Sequence, residues 1–170
     1  SVSLALTSGT GTLSGTTSVN AVNGVATFTG LSIGTAGTGK VLTASSGVLP
    51  TVASNAFSIT AGGATQIAVN AGDAQTAIAG AAVSTPPSVI VRDANNNPVA
   101  DVAVTFAVAT GGGQVTGASA TTNASGIATV GSWTLGTTAG ANSLTATSGS
   151  LTGSPVTFNA TGIAGPATQI

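Results

Sequence analysis

Side chains able to do acid–base or nucleophilic chemistry are very few in this chain. The carboxylates are Asp73, Asp93 and Asp101, and the sequence contains no Glu, His, Cys or Tyr. Paired carboxylates can act as general acid and base in a hydrolase. These three, however, stand at a strand end or beside an Asn-rich turn, where Asp commonly binds the backbone. We therefore predict no catalytic residue and no enzymatic activity.

The Asn-rich turn also carries groups that could bind a cation. Asp93, Asn95, Asn97 and Asp101 could offer oxygen ligands to calcium, which takes about 6–8 of them. Their spacing does not match an EF-hand loop, and a tight turn needs the same residue types for its own hydrogen bonds. We predict a turn, with no metal site and no bound cofactor.

Trp133 is the single Trp of the chain, and an exposed indole could stack on a sugar ring. When the two similar parts of the chain are aligned with each other, its counterpart is Leu31. A position that accepts either side chain needs an apolar group rather than an aromatic face. We predict that Trp133 lies in the core.

The segment GGGQVTG from Gly111 is superficially similar to a phosphate-binding loop. Such loops bind phosphate at the N-terminus of the helix that follows them. Here the following residues have a strand-like pattern, so the segment is predicted to be a loop between strands.

The composition excludes several classes of partner. Hydrophobic residues make up 42% of the chain and charged residues only 3%, against about 25% charged in average soluble proteins. The net charge is −1 and there is no basic patch, which argues against nucleic acid as a partner. No uninterrupted apolar run reaches the roughly 18 residues of a membrane span. We expect no membrane insertion in this segment.

Internal similarity at an offset of about 102 residues organises the chain. The segment from Val2 aligns with that from Val104, and ATQI occurs at Ala64–Ile67 and again at residues 167–170. A period of this length indicates an array of domains rather than of small motifs. We predict that residues 1–62 are the C-terminal part of one repeat, 63–163 a complete repeat, and 164–170 the first strand of a following repeat.

These boundaries lead to an expectation about the source protein. Half a sandwich would leave sheet edges unpaired, and residues 164–170 are too few to complete it. We expect the chain to continue in both directions, and an intact mass well above 15.7 kDa would support this.

Strand-like alternation runs through the complete repeat. Val102, Val104, Phe106 and Val108 recur with a period of two, and helical spacing is not sustained anywhere. Strands are predicted at seven places: 65–71, 88–93, 101–108, 114–122, 126–135, 142–147 and 154–161. Seven short strands in about 100 residues indicate an all-β, two-sheet antiparallel sandwich.

The expected core of that sandwich consists of apolar residues from most of these strands. They are Ile67, Val69, Phe106, Val108, Ile127, Trp133, Leu135, Leu144 and Phe158.

Three segments of the repeat, VRDANNNPVADVAVTFAV from Val91, TTNASGIATV from Thr121 and TAGANSLTATSG from Thr138, resemble the bacterial immunoglobulin-like repeats of invasin and intimin adhesins. The resemblance covers the whole repeat, and residues 1–62 match its later strands. It implies an immunoglobulin-like β-sandwich in tandem repeats on an extracellular or bacterial cell-surface protein. Such repeats often act as spacers.

Lys40 is the only Lys of residues 1–62, and some adhesin modules contain an internal isopeptide bond between a Lys and an Asn or Asp. That bond needs an acid nearby, and residues 1–62 contain none, while the complete repeat contains acids and no Lys. We predict no such cross-link within either repeat.

These observations predict a structural stalk or filament segment. Its expected partners are neighbouring repeats of the same chain and further copies of itself in filaments. The alternative is a module that binds a glycan or a receptor through loops at one end of the sandwich. Aromatic and Arg anchors usually dominate such contacts, and both are scarce here.

Overall fold

The computed structural model describes residues 1–167 and divides into two compact units, Ser1–Ala61 (unit 1) and a second that begins at Gly62 (unit 2). Regular structure in the described residues consists of strands. None of them belongs to a helix long and apolar enough to cross a membrane.

Unit 1 contains seven strands, and each of their pairings is antiparallel. The longer sheet has the order β3-β1-β5-β6, with β7 also pairing with β5, and β2 and β4 form a separate ribbon. The strands are β1 (Val2–Ser8), β2 (Leu13–Ser14), β3 (Ser18–Val19), β4 (Ser32–Ile33), β5 (Gly37–Ser45), β6 (Val52–Ala53) and β7 (Phe57–Ile59).

The described part of unit 2, residues 62–167, contains ten strands in two sheets and a ribbon. One sheet has the order β14-β10-β8, the other β13-β11-β16-β17-β9, and the ribbon joins β12 and β15. The strands are β8 (Gln66–Ala71), β9 (Gln75–Ile78), β10 (Ser88–Arg92), β11 (Ala103–Thr110), β12 (Gln114–Thr116), β13 (Ser119–Thr121), β14 (Ile127–Thr129), β15 (Ser132–Thr134), β16 (Gly140–Thr147) and β17 (Val156–Ile163).

A single buried cluster lies between the sheets of unit 2. Val89 and Val91 of β10 contribute from one sheet, and Phe106, Leu144 and Phe158 contribute from the other. Along β11 buried and exposed residues alternate from Ala103 to Phe106, as a strand with one face toward a core requires. The predicted all-β immunoglobulin-like sandwich is confirmed.

The prediction missed β9, which follows β8 after a short break. At the break Gly72 has a φ of 85° and a Cβ there would collide with Pro87, so a residue with a side chain fits poorly. After it the chain leaves the sheet of β8 and pairs with β17 of the other sheet. The β9–β17 pairing is parallel, unlike the antiparallel pairings of the other strands described.

Two of the seven predicted strands are interrupted. The predicted strand 114–122 is divided into β12 and β13 around Gly117, and 126–135 is divided into β14 and β15 around Val130 and Gly131. In each case the two parts pair with different neighbours. At the second break the buried positions change phase, from Ala128 and Val130 before Gly131 to Trp133 and Leu135 after it.

Six of the nine predicted core residues are buried, and the other three are not. The confirmed residues are Ile67, Phe106, Trp133, Leu135, Leu144 and Phe158. Val69 is 42% exposed where the β8–β10 ladder shifts register beside its partner Val89, whereas Ile67 of the same edge strand is buried. Val108 is half-buried near the end of β11.

Ile127 was assigned to the wrong face of its strand. It pairs with Ile90, and both are half-buried, whereas the next pair, Ala128 and Val89, is fully buried. Because successive side chains of a strand point to opposite faces, the core face of this strand is the one that Ala128 occupies.

The central strand pairs of the two units share one register. Adding 102 to each residue number in the β1–β5 pairs Ser3↔Ser45, Leu4↔Ala44 and Leu6↔Leu42 gives the β11–β16 pairs Thr105↔Thr147, Phe106↔Ala146 and Val108↔Leu144. Both ladders then shift register at equivalent positions, between Leu6 and Ser8 and between Val108 and Thr110. The end-of-chain strand predicted at 164–170 is not seen at Ala164–Ala167, and residues 168–170 lie outside the described residues.

Candidate functional site

Asp93 is the acceptor that organises the Asn-rich turn after β10. Its side chain is 2% exposed. Oδ1 accepts the backbone N–H groups of Asn95 (2.8 Å) and Asn97 (2.9 Å), and Oδ2 accepts the backbone N–H of Gly62 (2.8 Å) and the side-chain amide of Asn97 (2.9 Å). The carboxylate is thus surrounded by four N–H donors.

These hydrogen bonds stabilise the ionised form of the carboxyl group. The side-chain amide of Asn97, followed by the backbone N–H groups of Gly62, Asn97 and Asn95, lowers the pKa of Asp93 from 3.8 to about 2, against the opposing effect of burial. A carboxylate occupied in this way is a poor general acid and has no free side for a cation.

Asp73 has a comparable role at the break between β8 and β9. Its Oδ1 accepts the backbone N–H of Ala74 (2.8 Å) and that of Asn159 (2.7 Å) on β17. This side chain ties the crossing segment to the strand that β9 joins.

Asp101 lies apart from these groups as an exposed residue with a φ of 60° just before β11. Its backbone N–H donates to the carbonyl of Thr122 (2.8 Å). Within residues 1–167 no three His, Cys, Asp or Glu side chains stand close enough together to hold a metal ion. The carboxylates of Asp93 and Asp73 thus each bind the backbone of a separate turn.

Trp133 lies in the core, as predicted, with none of its surface exposed. It pairs with Val115 in the β12–β15 ribbon, while the equivalent ribbon of unit 1 pairs Leu13 with Ile33. Leu13 corresponds to Val115 at the 102-residue offset, so the structural counterpart of Trp133 is Ile33 and not Leu31. Its Nε1 has no hydrogen-bond partner among the described residues.

The glycines 111–113 form a loop between β11 and β12, so the prediction of a strand-connecting loop is confirmed. All three have φ between 77° and 87°, a region that favours glycine. The loop borders an open groove of about 440 Å³ that is also lined by Gly80, Gln114 and residues 134–138. Its lining contains no charged and no aromatic side chain.

Asn142 binds the connection between β15 and β16, which also lines this groove, and sequence reasoning missed that role. It is 2% exposed, its Oδ1 accepts the backbone N–H of Gly136 (3.0 Å), and its Nδ2 donates to the carbonyl of Gly140 (3.1 Å). A Cβ on Gly111 would come within 2.5 Å of the Asn142 Oδ1, so the buried Asn142 amide leaves room only for glycine at this position of the loop. A polar residue inside the alternating strand pattern was the available signal.

Lys40 stands at the equivalent position of unit 1. Lys40 comes directly before Val41, and Asn142 comes directly before Ser143. Val41 and Ser143 occupy equivalent positions in the β1–β5 and β11–β16 ladders. The Lys40 side chain is fully buried, and its Nζ donates to the carbonyl of Thr10. The same position therefore carries a buried polar side chain that binds loop backbone in both units: Lys40 binds the β1–β2 loop, and Asn142 binds the β15–β16 connection.

No family model and no curated protein matches the sequence. Solved structures do resemble it. The D0-D1 domain of intimin is 25% identical with a TM-score of 0.41, covering 94% of this chain and 77% of that one. The D00-D0 domain of intimin is 21% identical with a TM-score of 0.45, covering 72% and 63%.

The third similar structure is FdeC, described as a broadly conserved Escherichia coli adhesin. It is 20% identical with a TM-score of 0.55, and the match covers 97% of this chain. The present chain spans 52% of that structure. Together with the two-sheet topology of unit 2, this likeness shows that the chain has the immunoglobulin-like fold expected from its resemblance to intimin and invasin repeats.

Proposed function

We propose that this chain is a segment of tandem immunoglobulin-like repeats in a bacterial surface protein, where it acts as a stalk that holds other domains away from the cell. The observation that carries the proposal is the common register of β1–β5 and β11–β16 at an offset of 102 residues. Repetition of one strand ladder is what an array of equal spacers requires.

The placement of the polar groups also favours a structural role. Asp93, Asp73 and Asn142 hold turns and loops of unit 2 by accepting backbone N–H groups. We propose that the protein has no enzymatic activity and is extracellular, at the bacterial cell surface, in keeping with its similarity in fold to the adhesin FdeC.

The strand lengths set the length that each repeat adds. Strands β11, β16 and β17 have eight residues each, and at about 3.3 Å per residue they extend roughly 26 Å. With loops at both ends, we expect about 35–45 Å for each repeat.

Small-angle scattering of the chain joined head to tail in one, two and four copies tests the stalk proposal. A rigid spacer predicts a maximum dimension that grows in proportion to copy number. A dimension that grows no faster than that of a flexible or collapsed polymer would contradict it.

The proposed partners are neighbouring repeats and other copies of the same protein, packed side by side or end to end. Almost no charge is available to keep copies apart, and charge repulsion is a main source of colloidal stability. We propose no contact with nucleic acid and no membrane insertion by this segment.

The alternative function, binding of a glycan or a receptor, would use the groove beside the glycine loop. Its lining offers backbone groups, Gln114 and threonines, without the aromatic or Arg anchors that commonly dominate recognition. A glycan array probed with the intact chain distinguishes the two functions. Saturable binding that is lost when Gln114 is replaced by Ala would favour the alternative.

A further inference from the structure

The Asn-rich turn after β10 binds the segment through which the chain enters unit 2. The backbone N–H of Gly62 donates to the Asp93 Oδ2 (2.8 Å), and that of Thr65 donates to the carbonyl of Arg92 (2.9 Å). The Gln66 Nε2 donates to the carbonyl of Asp93 (3.1 Å). The turn therefore holds three residues of the entering segment.

This turn is itself closed by hydrogen bonds, so it is a firm point of attachment. The Asp93 N–H donates to the carbonyl of Asn97 (2.9 Å), and Arg92 and Pro98 form a β-bridge. The Asp93 Oδ1 accepts two further backbone N–H groups from inside the turn. Because the Asp93 side chain is 2% exposed, its charge-assisted hydrogen bonds face little competition from water.

The position of Gly62 in the sequence gives its bond a consequence for the joint between repeats. The last strand of unit 1, β7, ends at Ile59, so two residues separate that strand from Gly62. Without the Gly62 bond, the next backbone N–H that the turn holds is that of Thr65. The connection would then consist of five residues, 60–64.

We propose that the Asp93 carboxylate is a clamp that shortens the flexible connection between consecutive repeats from five residues to two. The end-to-end distance of a flexible connection grows with the square root of its length, so opening the clamp increases the available displacement about 1.6-fold. The inference rests on the proposed stalk function, and it assigns the stiffness of the joint to one side chain.

The sequence of the junction keeps the donor that the clamp uses. The segment AGGATQI, which contains Gly62, recurs as AGPATQI in the last seven residues of the sequence. In the second copy Pro166 takes the place of Gly63 and has no N–H to donate. Gly165 takes the place of Gly62 and retains its N–H. The donor is therefore present in both copies of the junction, and the N–H of the next residue is dispensable.

Asp93→Asn tests the clamp with little change in side-chain shape. Its Oδ1 can still accept the N–H groups of Asn95 and Asn97. An NH₂ group replaces the oxygen that binds Gly62, so that one donor faces another. Asp73→Asn is the matched control, because Asp73 also accepts two backbone N–H groups and neither belongs to the entering segment.

The distance between one label on each unit measures the freedom of the joint. The sequence contains no Cys, so Thr16→Cys and Ser150→Cys place two spin labels at exposed positions of the full chain. Pulsed electron paramagnetic resonance then gives the distribution of label-to-label distances. We expect this distribution to be about 1.6-fold broader for Asp93→Asn and unchanged for Asp73→Asn. Hydrogen exchange at the Gly62 amide should be at least about tenfold faster for Asp93→Asn, because local opening exposes that N–H.

Three results would overturn the clamp, provided that Trp133 fluorescence shows unit 2 to be native in each variant. A narrow distribution that Asp93→Asn leaves unchanged would remove the clamp and leave the stalk proposal standing. Equal broadening by Asp73→Asn would assign the effect to loss of charge rather than to the Gly62 bond. A distribution that is already broad in the labelled chain without either substitution would contradict the clamp and the stalk proposal together.

Discussion

Replacement of Phe106 by Ala probes the centre of the unit 2 core. Phe106 is 1% exposed, and it belongs to the cluster that contains Leu144 and Phe158. Loss of the buried ring removes about 1.5–3 kcal/mol from surface burial alone. The cavity left behind brings the expected loss to about 3–5 kcal/mol, or a Tm lower by roughly 15–25 °C for a unit of this size.

Denaturant unfolding followed by Trp133 fluorescence is the suitable assay, because this buried residue is the only Trp and reports unit 2 alone. Val69→Ala is the matched control. Val69 is 42% exposed at a sheet edge, so it should lose less than about 1 kcal/mol. A loss below about 1 kcal/mol for Phe106→Ala would refute the assignment of β11 to the core.

Three further predictions concern pH, loop geometry and association. The pKa of Asp93 is about 2 in the folded chain against 3.8 ordinarily, so its contribution to stability is present above about pH 4 and is lost as the pH falls toward 2. Acid unfolding followed by Trp133 fluorescence should therefore depend less on pH in this range for Asp93→Asn than for the unmodified chain. Identical profiles for the two proteins would contradict the hydrogen-bonded carboxylate. Gly111→Ala should destabilise unit 2 by about 1–3 kcal/mol more than Gly149→Ala. Both glycines have positive φ, but only at Gly111 would the new Cβ meet Asn142. Equal denaturation midpoints for the two variants would argue against this contact. Sedimentation at high concentration should reveal weak self-association of the intact chain, and a strict monomer at low salt would count against lateral packing.

The fold class was accessible from the sequence because it depends on local pattern. Period-two alternation, exemplified by Val104 and Phe106, and turn residues such as Asn95 and Asn97 act over a few positions. The similarity between the segments from Val2 and Val104 further predicted equivalent ladders, and these share one register. The absence of His, Cys and Glu also limits the acid–base and nucleophilic chemistry open to the chain, whatever its fold.

The roles of the candidate site residues were predicted less completely. The sequence placed Asp93 in a turn, but its four N–H donors include Gly62, 31 residues away, and no local pattern could indicate that partner. Asn142 was placed in a strand without any indication that it binds the turn at Gly136. Side-chain hydrogen bonds across a sandwich depend on which loops the fold brings to the same end.

The sequence by itself determined which segments form strands, which residues form the turns, where the repeat lies and most of the large core residues. Each of these follows from the type and spacing of nearby residues. Only the tertiary structure decided that the chain leaves one sheet at Gly72 to pair in parallel with β17, that Ala128 rather than Ile127 faces the core, and that Val69 stays exposed. It also showed that Val52 and Val156, in equivalent ladder positions, differ in burial. Burial depends on the neighbour that packs against a strand, and strands far apart in sequence supply that neighbour.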